Sequence, residues 1–254
     1  MLITFGDSWV YGVGAGFTYI DNYKKWSNDL YQRFIIKNLE THTKYSFRKH
    51  LSRDLGLENL NFSEGGSSNQ RQFRYACEYF IRDKNVVPEE CIVLWGLTSV
   101  YRNELYNSKK NIYENFFCPE EKIHISKFIA TSYLNEEVEI EKLYYNIELF
   151  NSYFKTLGIK NYWFNIFNDH DFPDNIENVL FKGQSLLSLL LEDPSKNDSY
   201  HKSDFKMTDR KIKKAVELQL VNPVSLHPTK ETHIKLSELI YSELPSSVTR
   251  NTYT

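Results

Sequence analysis

The sequence predicts an α/β domain: a parallel sheet of about five strands with helices on both faces. Three observations predict it. Continuous apolar runs at 1–5 (MLITF), 91–96 (CIVLWG) and 161–167 (NYWFNIF) have the composition of strands covered on both sides. Stretches with helical spacing separate these runs. Polar or glycine-rich loops follow them, at the carboxyl ends of the strands, where sheets of this kind hold their ligands. With 254 residues, no internal repeat and no clear linker, the chain reads as one domain over 1–245 and a flexible tail over 246–254.

In order along the chain, the first strand ends at Gly6. Residues 21–57 read as helix in two pieces. A second short strand, around Asn59 to Phe62, runs into Glu64-Gly65-Gly66-Ser67-Ser68, a loop that opens a helix with Ser67 or Ser68 as its cap. Phe73, Ala76, Cys77, Phe80 and Ile81 then recur on one helical face. The third strand is 91–96. Residues 97–135 read as loops plus a helix. A helix over 136–157 turns Leu143, Ile147, Phe150 and Phe154 inward, and the strand 161–167 follows. Residues 176–191 and 208–220 read as helical, with a polar loop between them at 194–204. The last helix starts at Pro228, a residue suited to a first helical turn, and aligns Leu236, Leu239, Ile240 and Leu244.

Charge and composition remove several function classes. Lys and Arg total 31 and Asp and Glu 33, so the basic surplus of a nucleic-acid-binding face is missing. Cys77, Cys91 and Cys118 are odd in number and widely spaced, which fits neither a disulfide framework nor a zinc knuckle. No apolar run reaches the length of a membrane span, and the start lacks the basic and apolar regions of a signal peptide. The expectation is a cytoplasmic protein with no membrane or nucleic-acid partner and no cofactor; the sequence leaves its oligomeric state open.

Three loops carry chemistry. Ser8, in Gly6-Asp7-Ser8, follows a buried strand at the rim of the sheet, where it is either a nucleophile or a helix cap. Gly65 and Gly66 precede a helix and either expose amide donors to an oxyanion or serve a turn that needs positive φ. His227 precedes Pro228 at the mouth of the last helix, a setting that disfavours imidazolium and suits a base, or else a cap. His233, six residues later, reads as packing. Arg102 reads as a contact for a substrate carboxylate or phosphate, or as a salt bridge with Glu104. Asp169, His170 and Asp171 follow a strand; they suggest substrate contacts more than a metal site, because adjacent residues rarely complete one. Gly12, Gly14 and Gly16 do not have the spacing of a dinucleotide fingerprint and read as a loop running close beside Ser8.

Taken together, Gly6-Asp7-Ser8 at the N-terminus, Asn61-Phe62-Ser63-Glu64-Gly65-Gly66-Ser67 and His227-Pro228-Thr229 resemble the SGNH/GDSL hydrolases. The stretches FGDSWVYGVGAG, NFSEGGSSNQRQFR and WGLTSVYRNE look like the SGNH-like proteins of tailed phages of marine bacteria, which would place the protein in a host cytoplasm. The resemblance spans residues 2 to 244. It implies a three-layer, flavodoxin-like fold and a serine ester hydrolase acting on a small acyl or acetyl ester, carbohydrate-linked or not. Carried over by position, Ser8 is the nucleophile, His227 the base, and the Ser8 and Gly66 amides donate to the oxyanion. Two positions depart from the family pattern. Thr98 stands where an Asn usually donates to the oxyanion, and Val224 where an Asp usually orients the His. Substitutes for that acid are Ser225, Asp169 and Asp171, with Asp7 and Arg102 as further site contacts. The departures motivate a second reading, an SGNH-fold binding or structural module with weakened chemistry. A third, a flavodoxin-like nucleotide or phosphate binder, rests on the glycine-rich rim loops.

Overall fold

The computed structural model describes residues 1–16, 39–82, 91–117, 135–169, 171–192, 204–223 and 225–249. Four strands form the main sheet: β1 (Leu2–Phe5), β2 (Asn59–Asn61), β3 (Ile92–Leu97) and β6 (Lys160–Asn165). All pair in parallel, in the order β2-β1-β3-β6. The first strand therefore lies inside the sheet, and its carboxyl end opens onto the middle of the rim.

Period-two alternation divides the core. Ile3, Phe5, Val93, Trp95 and Trp163 face one side. Leu2, Leu94, Tyr162 and Phe164 face the other. On the first side, the rings of Phe5, Trp95 and Trp163 stack from strand to strand with centroids 4.4 and 4.6 Å apart. Helices α4 (Asn69–Ala76) and α5 (Glu136–Leu157) cover that side through Phe73, Leu143, Ile147, Phe150 and Phe154. The opposite side is covered by α1 (Ser8–Tyr11), α3 (Phe47–Asp54), α6 (Leu186–Leu190), α7 (Asp204–Glu217) and α8 (Lys230–Glu243). Between them they contribute Trp9, Val10, Phe47, Leu51, Leu187, Ala215, Leu236 and Ile240. Helix α2 (Leu39–Tyr45) leads into α3. The result is the expected α/β sandwich of a parallel sheet between two helical layers.

Several elements depart from the sequence reading. Among the described residues the sheet has four strands, against about five expected. The segment 97–135, read as loops plus a helix, contains an antiparallel hairpin, β4 (Arg102–Asn107) and β5 (Ile112–Phe117). Its strands are too polar to read as core strands, because Leu105, Tyr106, Ile112 and Tyr113 are largely exposed. The segment 176–191 is not one helix. Phe181, Lys182 and Gly183 take positive φ, so a 3-10 turn (Leu180–Gly183) precedes the short α6. Helix α4 starts after Ser68, whose side chain accepts from the Arg71 amide. From Cys77 to Arg82 the same helix widens to a π-turn, which swings Ile81 off the apolar face to 47% exposure. The last helix, α8, starts at Lys230 with Thr229 as its cap, rather than at Pro228, so His227 does not cap it. The expected loose tail begins with α9 (Ser246–Thr249), whose Val248 is buried. Among the described residues no helix is long and apolar enough to cross a membrane.

Candidate active site

Ser8 leaves β1 at the rim, and the local sequence settles which residue caps α1. Asp7 is the N-cap: its Oδ1 accepts the Trp9 amide at 2.9 Å. The cap reading of Ser8 is thus corrected, and Ser8 is the first helical residue, with its hydroxyl not used in capping. Gly6 and Gly96 are required here by packing. A Cβ on either would lie 2.3 or 2.4 Å from Val10 Cγ2, so the two glycines let α1 press onto β1 and β3.

Asp7 is fully buried, and its other oxygen binds Arg102 Nη1 at 2.9 Å. The Thr98 hydroxyl also donates to that oxygen, at 3.4 Å. Burial pushes the Asp7 carboxyl above its usual range, while Arg102 and the Trp9 amide pull it down. Arg102 therefore pairs with Asp7, not with Glu104, which instead binds Arg74 and Arg71. The Arg102 guanidinium also lies over the Phe167 ring, 5.5 Å from its centroid, and Phe167 meets Trp9 edge-on at 5.1 Å.

His227 reaches the same rim from a short self-bonded loop. The Asn222 amide donates to the His227 carbonyl at 2.9 Å, and the Leu226 amide to the Asn222 carbonyl at 2.8 Å. Leu226 is left-handed, with φ of 58°, an unusual state for a leucine that costs of order 1 kcal/mol or more. That turn sends the Leu226 carbonyl to Trp9 Nε1, tying the His227 loop to α1. The glycine loop closes on the other side: a Cβ on Gly14 would lie 3.1 Å from His227 Cβ and 2.6 Å from the Pro228 carbonyl oxygen. The Gly14 amide donates to Nδ1 of His42, a buried histidine of α2 that the sequence did not single out.

Burial depresses the His227 pKa to about 4, and the positive charge of Arg102 adds to the effect, so the imidazole is neutral at pH 7. The Ser225 backbone, hydrogen-bonding to the imidazole, offsets part of the effect of burial, and no carboxylate among the described residues binds His227. Val224, the position of the usual acid, lies outside them, as does His170. Among the described residues, no hydrogen bond joins His227 to Ser8.

The substitutes proposed for the acid are placed as follows. Asp169 is buried, and both of its oxygens are occupied. It accepts from the Ser185 amide at 2.6 Å, the Ser188 hydroxyl at 2.7 Å and Lys211 Nζ at 2.8 Å. That network ties α6 and α7 to the rim and turns the carboxylate away from an imidazole. Asp171 is exposed, and its carbonyl accepts from Tyr144. The Ser225 hydroxyl accepts the His227 amide at 3.2 Å and so touches that residue through its backbone. Gly66 has φ of 72° in an exposed turn closed by the Ser67 amide on the Glu64 carbonyl, and that loop meets β1 where the Glu64 amide donates to Gly6. Thr98 is held by Asn69, which the sequence reading missed. The Asn69 side chain accepts the Thr98 amide at 2.9 Å and donates to its carbonyl at 2.8 Å. His233 is a packing residue, as expected: it is buried, stacks on Phe47 and accepts the Phe47 amide. Among the described residues there is no cluster of three metal-ligating side chains.

No protein-family model and no curated protein matches the chain. Among solved structures it is similar to a candidate lipolytic protein of the G-D-S-L family from Desulfitobacterium hafniense DCB-2. The identity is 13% over 96% of this chain and 98% of that one, with a TM-score of 0.44.

Proposed function

We propose that the protein is a serine ester hydrolase of the SGNH type that its opening motif resembles. Ser8 Oγ attacks the ester carbonyl while His227 takes its proton. The alcohol then leaves with that proton, and water repeats the sequence on the acyl-serine. The Ser8 and Gly66 amides donate to the oxyanion, and Arg102 contacts the substrate from the Asp7 side. Thr98 is the weaker donor, since its hydroxyl turns to Asp7. The observation that carries this reading is the division of labour in Gly6-Asp7-Ser8: Asp7 caps α1, which leaves Ser8 at the rim beside the His227 loop.

A second reading is favoured by one specific observation: among the described residues no carboxylate binds the His227 imidazole, whose hydrogen bond is to the Ser225 backbone. A base with pKa near 4 has little driving force for taking a serine proton, since the best bases lie near the working pH. Loss of a triad acid costs on the order of 10⁴ in rate. The fold would then serve binding. Hydrolysis of p-nitrophenyl acetate separates the two. The esterase reading expects slow turnover that Ser8→Ala and His227→Ala both abolish, whereas a rate unchanged in Ser8→Ala supports the binding module.

A further inference from the structure

Where β1 turns away at Gly6 to present Asp7 and Ser8, β3 runs on, and two side chains of α4 take up the edge that β1 leaves open. The β1–β3 pairing ends at Phe5 opposite Trp95. In a parallel strand the backbone groups of successive residues point to alternate sides. Leu97 points to the β6 side, where its carbonyl accepts the Ile166 amide at 3.0 Å. Gly96 and Thr98 therefore point to the side that β1 has left. There Gln72 donates to the Gly96 carbonyl at 3.1 Å. Asn69, one turn earlier on the same face of α4, binds the Thr98 amide at 2.9 Å and the Thr98 carbonyl at 2.8 Å. Both residues are buried. Asn69 thus stands in for a neighbouring strand at the residue whose hydroxyl meets Asp7.

We infer that Asn69 is a positioning residue for ester hydrolysis, which fixes Thr98 so that its hydroxyl, and not its amide, is the donor offered to the oxyanion. This role rests on the esterase reading. With both backbone groups held by one carboxamide, the Thr98 amide has no proton to give, and rotation about χ1 is the freedom left. The hydroxyl carries a single proton. At rest that proton goes to Asp7 Oδ2 across 3.4 Å, a long bond. Asp7 does not depend on it, because Arg102 Nη1 holds the same oxygen at 2.9 Å. A hydroxyl held weakly at rest and turned to a developing oxyanion binds the transition state better than the ground state, and such an interaction raises kcat. Asn69 also follows the Ser68 cap directly, at the end of the loop that carries Gly66. That loop is pinned to β1 by the Glu64 amide on the Gly6 carbonyl at 3.2 Å. One side chain therefore sets Thr98 against the loop of the Gly66 amide.

The test is a double-mutant cycle between Asn69→Ala and Thr98→Val in the full chain, read by hydrolysis of p-nitrophenyl acetate. Asn69→Ala should lower kcat roughly tenfold, less than the 10²–10³ that loss of an oxyanion donor can cost, and leave KM within about twofold. In a Thr98→Val background, which has no hydroxyl to place, the same change should lower kcat by less than about twofold. Thr98→Ser should restore the full Asn69 effect. A side chain that only supports the fold would cost the same factor in both backgrounds. Asn69→Asp is the second variant, for the case that Asn69→Ala does not fold. It suits a first helical turn and keeps the acceptor for the Thr98 amide but loses the donor to the carbonyl, so its kcat should fall between wild type and alanine. An unchanged kcat, a loss confined to KM, or equal losses with and without the Thr98 hydroxyl overturns the role and leaves the esterase reading standing. Wild-type protein that neither turns over the ester nor takes up a fluorophosphonate overturns the esterase reading, and the role with it.

Discussion

Asp7 is the residue on which the site turns, because its two carboxylate oxygens do separate work. One caps α1 and the other holds Arg102. The two roles separate by mutation. Asp7→Asn keeps a competent cap but removes the charge facing Arg102. Asp7→Ala loses both, with the cap alone worth about 0.5–2 kcal/mol. Urea unfolding should therefore rank wild type above Asn and Asn above Ala, and equal stability of the two variants would contradict the division. The individual residues were unequally legible. Ser8, Gly66 and His227 are marked out in the sequence by a strand end, a glycine pair and a following proline, and their roles stand as proposals. The Asp7–Arg102 pair did not: its members lie 95 positions apart, and neither local sequence encodes the other. Asn69 and His42 were hidden for the same reason, since a buried polar side chain that serves a distant backbone group has no periodic signature.

At the scale of elements, α1 is only four residues long and depends on the strands beneath it. Val10 presses into the space left by Gly6 and Gly96. Gly96→Ala forces that contact apart and is expected to cost about 1–3 kcal/mol, the usual range for overpacking. Combined with Val10→Ala, the two costs should add to less than their sum, because the second change removes the clash created by the first. Strict additivity in thermal unfolding would show that α1 does not sit on Gly96. The strands β1, β3 and β6 and the helix α5 were readable, since continuous apolar runs and the Leu143–Ile147–Phe150–Phe154 spacing are strong signals. The β4–β5 hairpin was not, because a projecting ribbon with both faces partly in water lacks the apolar period that marks a core strand. Positive φ at Phe181 and Lys182 broke a segment whose leucines otherwise read as helix.

Across the whole molecule, neutral buried histidines make folding sensitive to acid. His233 and His227 have pKa values lowered to about 3 and about 4 by burial. An unfolded histidine protonates near 6.5, so the unfolded chain takes up protons first as the pH falls. Their contribution is complete above about pH 6.5 and is lost on descent towards pH 4 to 3, at up to about 1.4 kcal/mol per pH unit for each histidine. His227, which is partly open, contributes less than the fully buried His233. Asp7, raised by burial, acts in the opposite sense and offsets part of the loss. Denaturation at pH 7.5 and pH 5 should show a stability drop that shrinks in His233→Gln; an unchanged drop would contradict this assignment. The same scale carries the central proposal, that Ser8 at the carboxyl edge of the sheet is a nucleophile. Treatment with a fluorophosphonate, followed by intact mass and peptide mapping, tests it most directly. One adduct per chain, located on Ser8 and absent from Ser8→Ala, is the predicted result, and folded protein that takes up no adduct would contradict it.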